Sequence, residues 1–135
     1  MPNAEFHAYV GQDAFQNLNT GKTLAHLKNN GIYILDKTKK DILFEKISEA
    51  KVLLYPGHRD ETFCLAAAEA LSLGTPVITK VIGALSERVC HGQTGFIEQT
   101  GQKIAEKTIE LMNKDTLWEE LSRNAFAQRD LYRWE

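Results

Sequence analysis

Cysteine and proline are scarce in these 135 residues, with two and three copies, and histidine numbers four. Cys64 and Cys90 form no C-x-x-C pair and stand at no metal-ligand spacing, so a disulfide scaffold and a cysteine-held metal are both excluded. Reduced thiols are expected, with Cys64 as a small buried packing residue. No apolar run approaches the roughly 18 residues that a membrane span needs. The opening MPNAEFHAYV lacks the basic start and long apolar core of a signal peptide. A net charge of −2 gives no general attraction to nucleic acid or to an anionic membrane. Internal repeats and low-complexity segments are absent as well. These absences leave a compact domain, and 43% hydrophobic with 25% charged residues suits one.

The most informative stretch is YPGHRDETFCLAAAEALSLGTPVIT, residues 55–79. An apolar run over 52–55 reads as a strand that Pro56-Gly57 ends. Asp60 and Thr62 are candidate helix N-caps. Residues 63–73 carry Ala66, Ala67, Ala68 and Ala70, strong helix formers of little bulk that let a helix lie close to a sheet. Gly74 stands where a left-handed C-terminal cap belongs, and Pro76 follows where the helix cannot continue. Residues 76–79 then read as a buried strand.

A helix N-terminus offers free N–H groups and partial positive charge, which suits a phosphate. Glu61 stands at the mouth and Glu69 eight residues on, about 12 Å if the whole interval is helical. Two such carboxylates could bracket an extended ligand, each accepting from paired hydroxyls. Spacing alone does not distinguish the pair, since Glu98 and Glu106 share it and are assigned no site. The distinguishing feature is the order of the surrounding signals.

Along the rest of the chain, short apolar runs predict strands near 5–10, 32–35 and 95–97. Helices are predicted over 23–29, 39–50, 85–90, 102–113 and from 115 or 116 to about 132. Residues 12–20 read as irregular. The 102–113 helix is expected to turn Ile104, Ala105, Thr108, Ile109 and Met112 inward, and the last helix Leu117, Trp118, Leu121 and Ala125. Trp118, Phe126 and Trp134 read as packing rather than as a ligand-stacking set. Strands alternating with helices predict a parallel sheet covered on both faces. Ligands of such sheets bind at the carboxyl ends of the strands, so Glu61 and the Gly83 loop should converge there.

The ordered pattern resembles the donor-binding half of GT-B glycosyltransferases, particularly the retaining enzymes of family 4. Glu61-x7-Glu69 is similar to their E-x7-E motif. Gly83-Ala84-Leu85-Ser86-Glu87 is similar to their Gly-Gly-x-Pro-Glu loop, departing from it at Ala84 and Ser86. His91-Gly92-Gln93-Thr94-Gly95-Phe96 is similar to their Asp-Gly-x-Thr-Gly-Phe/Leu turn. The match is clear over about residues 50–97.

The resemblance implies an α/β Rossmann-like three-layer sandwich, here a single partial C-terminal domain spanning 1–135. It implies Glu61 as the catalytic carboxylate facing the donor sugar and Glu69 on the ribose hydroxyls. The backbone of Thr62, Phe63 and Cys64 would face the diphosphate, with Arg59, Gly83 and Ala84 completing the donor site. A surface role for Arg59 beside Asp60 is the alternative, and His58 and His91 are read as structural or exposed. No cofactor and no protein-held metal are implied. The donor would be a nucleotide-diphosphate sugar and the acceptor a glycan or lipid-linked molecule, in polysaccharide biosynthesis. The implied location is the cytoplasm, with the inner membrane surface as a variant. The acceptor-binding N-terminal domain and a basic pair near the pyrophosphate are missing from the chain, which is expected to be inactive alone. Competing readings are a stand-alone nucleotide-sugar-binding module and another GT-B enzyme, such as a sugar-nucleotide epimerase or a glycogen phosphorylase.

Overall fold

The computed structural model describes residues 4–17, 21–57, 59–60 and 63–132. The chain divides into two compact units, residues 1–43 and 44–135.

The first unit pairs β1 (Phe6–Tyr9) with β2 (Ile32–Leu35) in parallel, Phe6 opposite Ile32 and Tyr9 opposite Leu35. Helices α1 (Gln12–Gln16) and α2 (Leu24–Asn29) lie between them in sequence. α1 corrects the reading of residues 12–20 as irregular at its start: Gln12–Gln16 form one short helix after Gly11, and the Asp36 carboxylate accepts from the Gln12 N–H at 2.9 Å, while residues 18–20 lie outside the described residues. The Thr23 hydroxyl caps α2 by accepting from the His26 N–H, and Leu27 is the buried residue of that helix. α3 (Lys40–Glu49) runs from the first unit into the second.

In the second unit β3 (Leu53–Tyr55), β4 (Val77–Thr79) and β5 (Gly95–Ile97) form a parallel sheet with β4 in the centre. All three β4 residues are buried, as a central parallel strand requires. The strands thus fall where the alternation predicts and every pairing is parallel, but they hydrogen-bond as two sheets, β1–β2 and β3–β4–β5. Gly95 fits β5 for a steric reason, because a Cβ there would overlap the Val77 carbonyl oxygen across the ladder.

Helix α4 (Leu65–Ser72) follows β3, the short α5 (Leu85–Arg88) follows β4, and α6 (Gly101–Asn113) follows β5. The chain closes with α7 (Asp115–Ala127) and a 3-10 turn, Arg129–Tyr132, which ends the long last helix earlier than expected. Ile78, Phe96, Leu111 and Leu121 form the core beneath α6 and α7, with Val52, Leu54, Ile104, Leu117 and Trp118 packed around them. Trp118 is a packing residue, and its indole N–H donates to the Lys51 carbonyl at 2.6 Å. Phe126 is half-exposed beneath the Arg129 guanidinium, 4.3 Å from its ring centre; Trp134 lies outside the described residues. On α6 the inward face is rotated from the expected one. Thr108 and Leu111 are buried while Ala105 and Ile109 face out, because the core stripe follows 104, 108 and 111 rather than 105 and 109.

α4 ends as the sequence predicts. The Gly74 N–H donates to the Leu71 carbonyl at 3.0 Å and the Thr75 N–H to the Ala70 carbonyl at 2.9 Å, with Gly74 at φ 80°. This is a Schellman turn, which needs a residue at ease in the left-handed region. The Ser122 hydroxyl closes it by donating to the Gly74 carbonyl at 2.6 Å. The Thr75 hydroxyl donates to the Ile47 carbonyl and ties the end of α3 to the same corner.

Candidate functional site

β3 and β4 run parallel, so the loops after Tyr55 and Thr79 leave the same edge of the sheet. They meet there. Gly57, at φ 81°, lies so close to the next loop that a Cβ would come within 2.5 Å of Leu85 Cδ1 and 3.6 Å of Ile82 Cβ. Leu85 is fully buried, and it holds the segment 82–85 against the β3 exit. Gly83 adopts φ 57° within that segment, and Ala84 is buried as the residue capping α5. The second position of this loop is therefore a packing position in which a methyl group fits.

The chain then turns through Arg59 and Asp60, both exposed, toward α4. Glu61, Thr62 and His58 lie outside the described residues. α4 starts at Leu65, two residues later than expected, and its N-cap is Cys64 rather than Asp60 or Thr62. Cys64 is buried, makes no side-chain cap and adopts φ 56°, the only positive φ of a non-glycine among the described residues. Phe63 and Cys64 are thus loop, and a helical rise of 12 Å between positions 61 and 69 does not apply. The N–H groups free at the start of α4 are those of Leu65, Ala66 and Ala67, the residues directly after Phe63 and Cys64; Ala68 is the first to bond within the helix, to the Cys64 carbonyl at 3.2 Å.

Glu69 stands one turn into α4. Ala67, Ala68, Ala70 and Leu71 cover the buried side of that helix. Glu69 is half-buried and shares the other side with Leu65, Ala66, Ser72 and Leu73, so a ligand can reach it. Alanines on the inner side let the helix pack closely on its neighbours.

Arg88 ties the end of α5 to the residues before α4 without appearing among the expected site residues. The Arg88 Nε–H donates to the Phe63 carbonyl at 3.0 Å, and its guanidinium lies 3.9 Å from the Phe63 ring centre. His91 builds the following turn, where its Nδ1 accepts from the Ile97 N–H at 2.9 Å and its ring meets Phe96 edge-on. His91 is therefore structural, carrying its proton on Nε2 while it accepts. The Thr94 hydroxyl accepts from the Cys90 N–H at 2.9 Å and completes that turn. No cluster of three or more His, Cys, Asp or Glu that could hold a metal occurs among the described residues. A cleft of about 230 Å³ in the first unit is lined by Gln12, Leu24, Lys28 and the β2 residues, and it contains none of the expected site residues.

A parallel α/β unit with loops gathered at one strand edge, and a small-residue helix beginning there, defines a ligand-binding class of fold. The chain belongs to the glycosyl transferases group 1 family, whose model matches residues 8–128. It is 32% identical over 99 residues to the capsular polysaccharide biosynthesis glycosyltransferase CapM of Staphylococcus aureus, covering 72% of this chain and 25% of CapM. The fold is similar to Anabaena HepE, solved in complex with UDP-glucose, at a TM-score of 0.71 and 21% identity, covering 92% of this chain and 34% of HepE. It is likewise similar to the C-terminal domain of the group 1 glycosyl transferase LpcC from Francisella tularensis, at a TM-score of 0.73 and 19% identity over 92% of this chain and 65% of that one. The fold is that of the Rossmann-like C-terminal domains of GT-B glycosyltransferases. The chain spans about a quarter or less of the length of the curated relatives it matches.

Proposed function

We propose that residues 1–135 are the donor-binding part of a retaining, family 4-like glycosyltransferase, contributing most of its C-terminal domain. The enzyme moves a sugar from a nucleotide-diphosphate sugar to a glycan or lipid-linked acceptor at the cytoplasmic side of a polysaccharide pathway. A second, acceptor-binding domain completes the active site, and this stretch alone does not transfer sugar. The observation that carries the reading is the approach of Gly57 to Leu85, which gathers the β3 exit and the Gly83 loop at one strand edge. Membership of the family and the motif order along residues 50–97 support it.

Within that site Glu69 accepts from the ribose hydroxyls, and the start of α4 faces the diphosphate. The free N–H groups of Leu65, Ala66 and Ala67 extend the set carried by Thr62, Phe63 and Cys64. Glu61 faces the donor sugar, with Arg59, Gly83 and Ala84 at the rim. A thermal-shift panel of UDP-, GDP-, ADP- and TDP-sugars tests the reading, since a ligand bound only by the folded state raises its stability by mass action. Stabilisation by sugars of one base is expected, and no shift with any of them would contradict it.

A further inference from the structure

Arg88 ends α5, and its guanidinium reaches a backbone carbonyl 25 positions earlier in the chain. That carbonyl belongs to the peptide joining Phe63 to Cys64. The peptide is planar, so turning it changes ψ of Phe63 and φ of Cys64 together. Holding its oxygen therefore holds φ of Cys64. Cys64 needs holding, because a side chain in the left-handed region is strained and persists only where its surroundings over-determine it. The Cys64 side chain supplies no cap of its own. The first hydrogen bond of α4, from the Ala68 N–H to the Cys64 carbonyl, depends on that conformation. The guanidinium also lies over Phe63, 3.9 Å from the ring centre, and holds the ring beside the bonded oxygen.

We infer that Arg88 is a positioning residue that locks the Phe63–Cys64 peptide and so sets where α4 begins relative to the Gly83 loop. It touches no ligand in this assignment and acts through Cys64. Its consequence for nucleotide binding rests on the proposed function; its effect on the peptide does not.

The test compares Arg88→Met, Arg88→Lys, Cys64→Gly and the combination of Arg88→Met with Cys64→Gly in the 135-residue chain. Two quantities are read: amide exchange at Ala68, and the Kd for UDP, GDP and ADP. Arg88→Met should speed Ala68 exchange and weaken nucleotide binding, each about tenfold, the worth of one charge-assisted hydrogen bond. Glycine tolerates positive φ, so Cys64→Gly should remove most of the Arg88→Met effect on both readouts. Arg88→Lys keeps one donor and should lose less than Arg88→Met, and it provides the readout should Arg88→Met not fold. An Arg88→Met effect of equal size with and without Cys64→Gly would overturn the inference. So would faster exchange with nucleotide affinity unchanged in a chain that binds nucleotide. If the wild type binds none of the three nucleotides while the exchange pattern holds, the donor-binding reading falls and the lock on the peptide stands.

Discussion

Gly57 and Leu85 occupy each other's space: the left-handed glycine after β3 lies where a single added carbon would come within 2.5 Å of the buried leucine after β4. Gly57→Ala must both adopt an unfavourable φ and push Leu85 aside. A loss of about 1–3 kcal/mol is expected, combining left-handed strain with overpacking. Urea unfolding measures it. Adding Leu85→Ala should relieve the overpacking share, and strict additivity of the two substitutions would show that the loops do not press on each other.

Gly95 makes a second, independent steric prediction. Gly95→Ala forces a methyl group into the Val77 carbonyl, a backbone atom that cannot rotate away. The β4–β5 ladder should open, with a loss of about 3 kcal/mol or more. Gly101→Ala is the matched control, since nothing lies within 4 Å of a Cβ at that helical position. It should stabilise by about 0.5–1 kcal/mol. Chemical denaturation of both variants checks the contrast.

Acid should weaken the second unit through Asp115 and Glu110. The Lys51 ammonium donates to the Asp115 carboxylate at 2.8 Å, and this hydrogen bond, with the attraction of the charge, lowers the Asp115 pKa. Hydrogen bonds from Lys107 and Lys114, with their charges, lower that of Glu110. A carboxylate whose folded pKa is depressed contributes stability above its unfolded pKa, and that contribution is lost as pH falls through the folded value. The Tm difference between wild type and Asp115→Asn should therefore be constant above about pH 5 and shrink below about pH 4. Because Asp115 is largely exposed, the difference should be small and salt-sensitive.

On the proposed function Glu61 faces the donor sugar, where positive charge develops as the glycosidic bond breaks. In the enzyme carrying both domains, Glu61→Ala should lower kcat more than it weakens donor binding. Steady-state kinetics with a direct Kd measurement separates the two. A loss confined to affinity would make Glu61 a binding residue only.

Much of this fold is legible in the sequence because its punctuation is local. Ile32–Leu35 and Gly95–Ile97 fall at the expected bounds, and Gly74 with Pro76 marks the end of α4. What is not legible depends on partners distant in the chain. The start of α4 is set by Cys64 in a conformation that its side chain does not advertise, while Asp60 and Thr62 offered a generic cap signal. Arg88 bonds a backbone oxygen, so no partner residue type betrays it. The separation of the strands into two sheets is likewise a matter of pairing rather than of composition.

On the proposed function Glu69 holds the ribose of a nucleotide whose diphosphate faces the start of α4. Isothermal titration of wild type and Glu69→Ala with the preferred nucleoside diphosphate, and with inorganic pyrophosphate, tests it most directly. Glu69→Ala should weaken nucleoside diphosphate binding by about 1–3 kcal/mol, the worth of hydrogen bonds to a charged acceptor, and leave pyrophosphate binding unchanged. Equal affinity of both proteins for the nucleotide, or an equal loss for pyrophosphate, would contradict it.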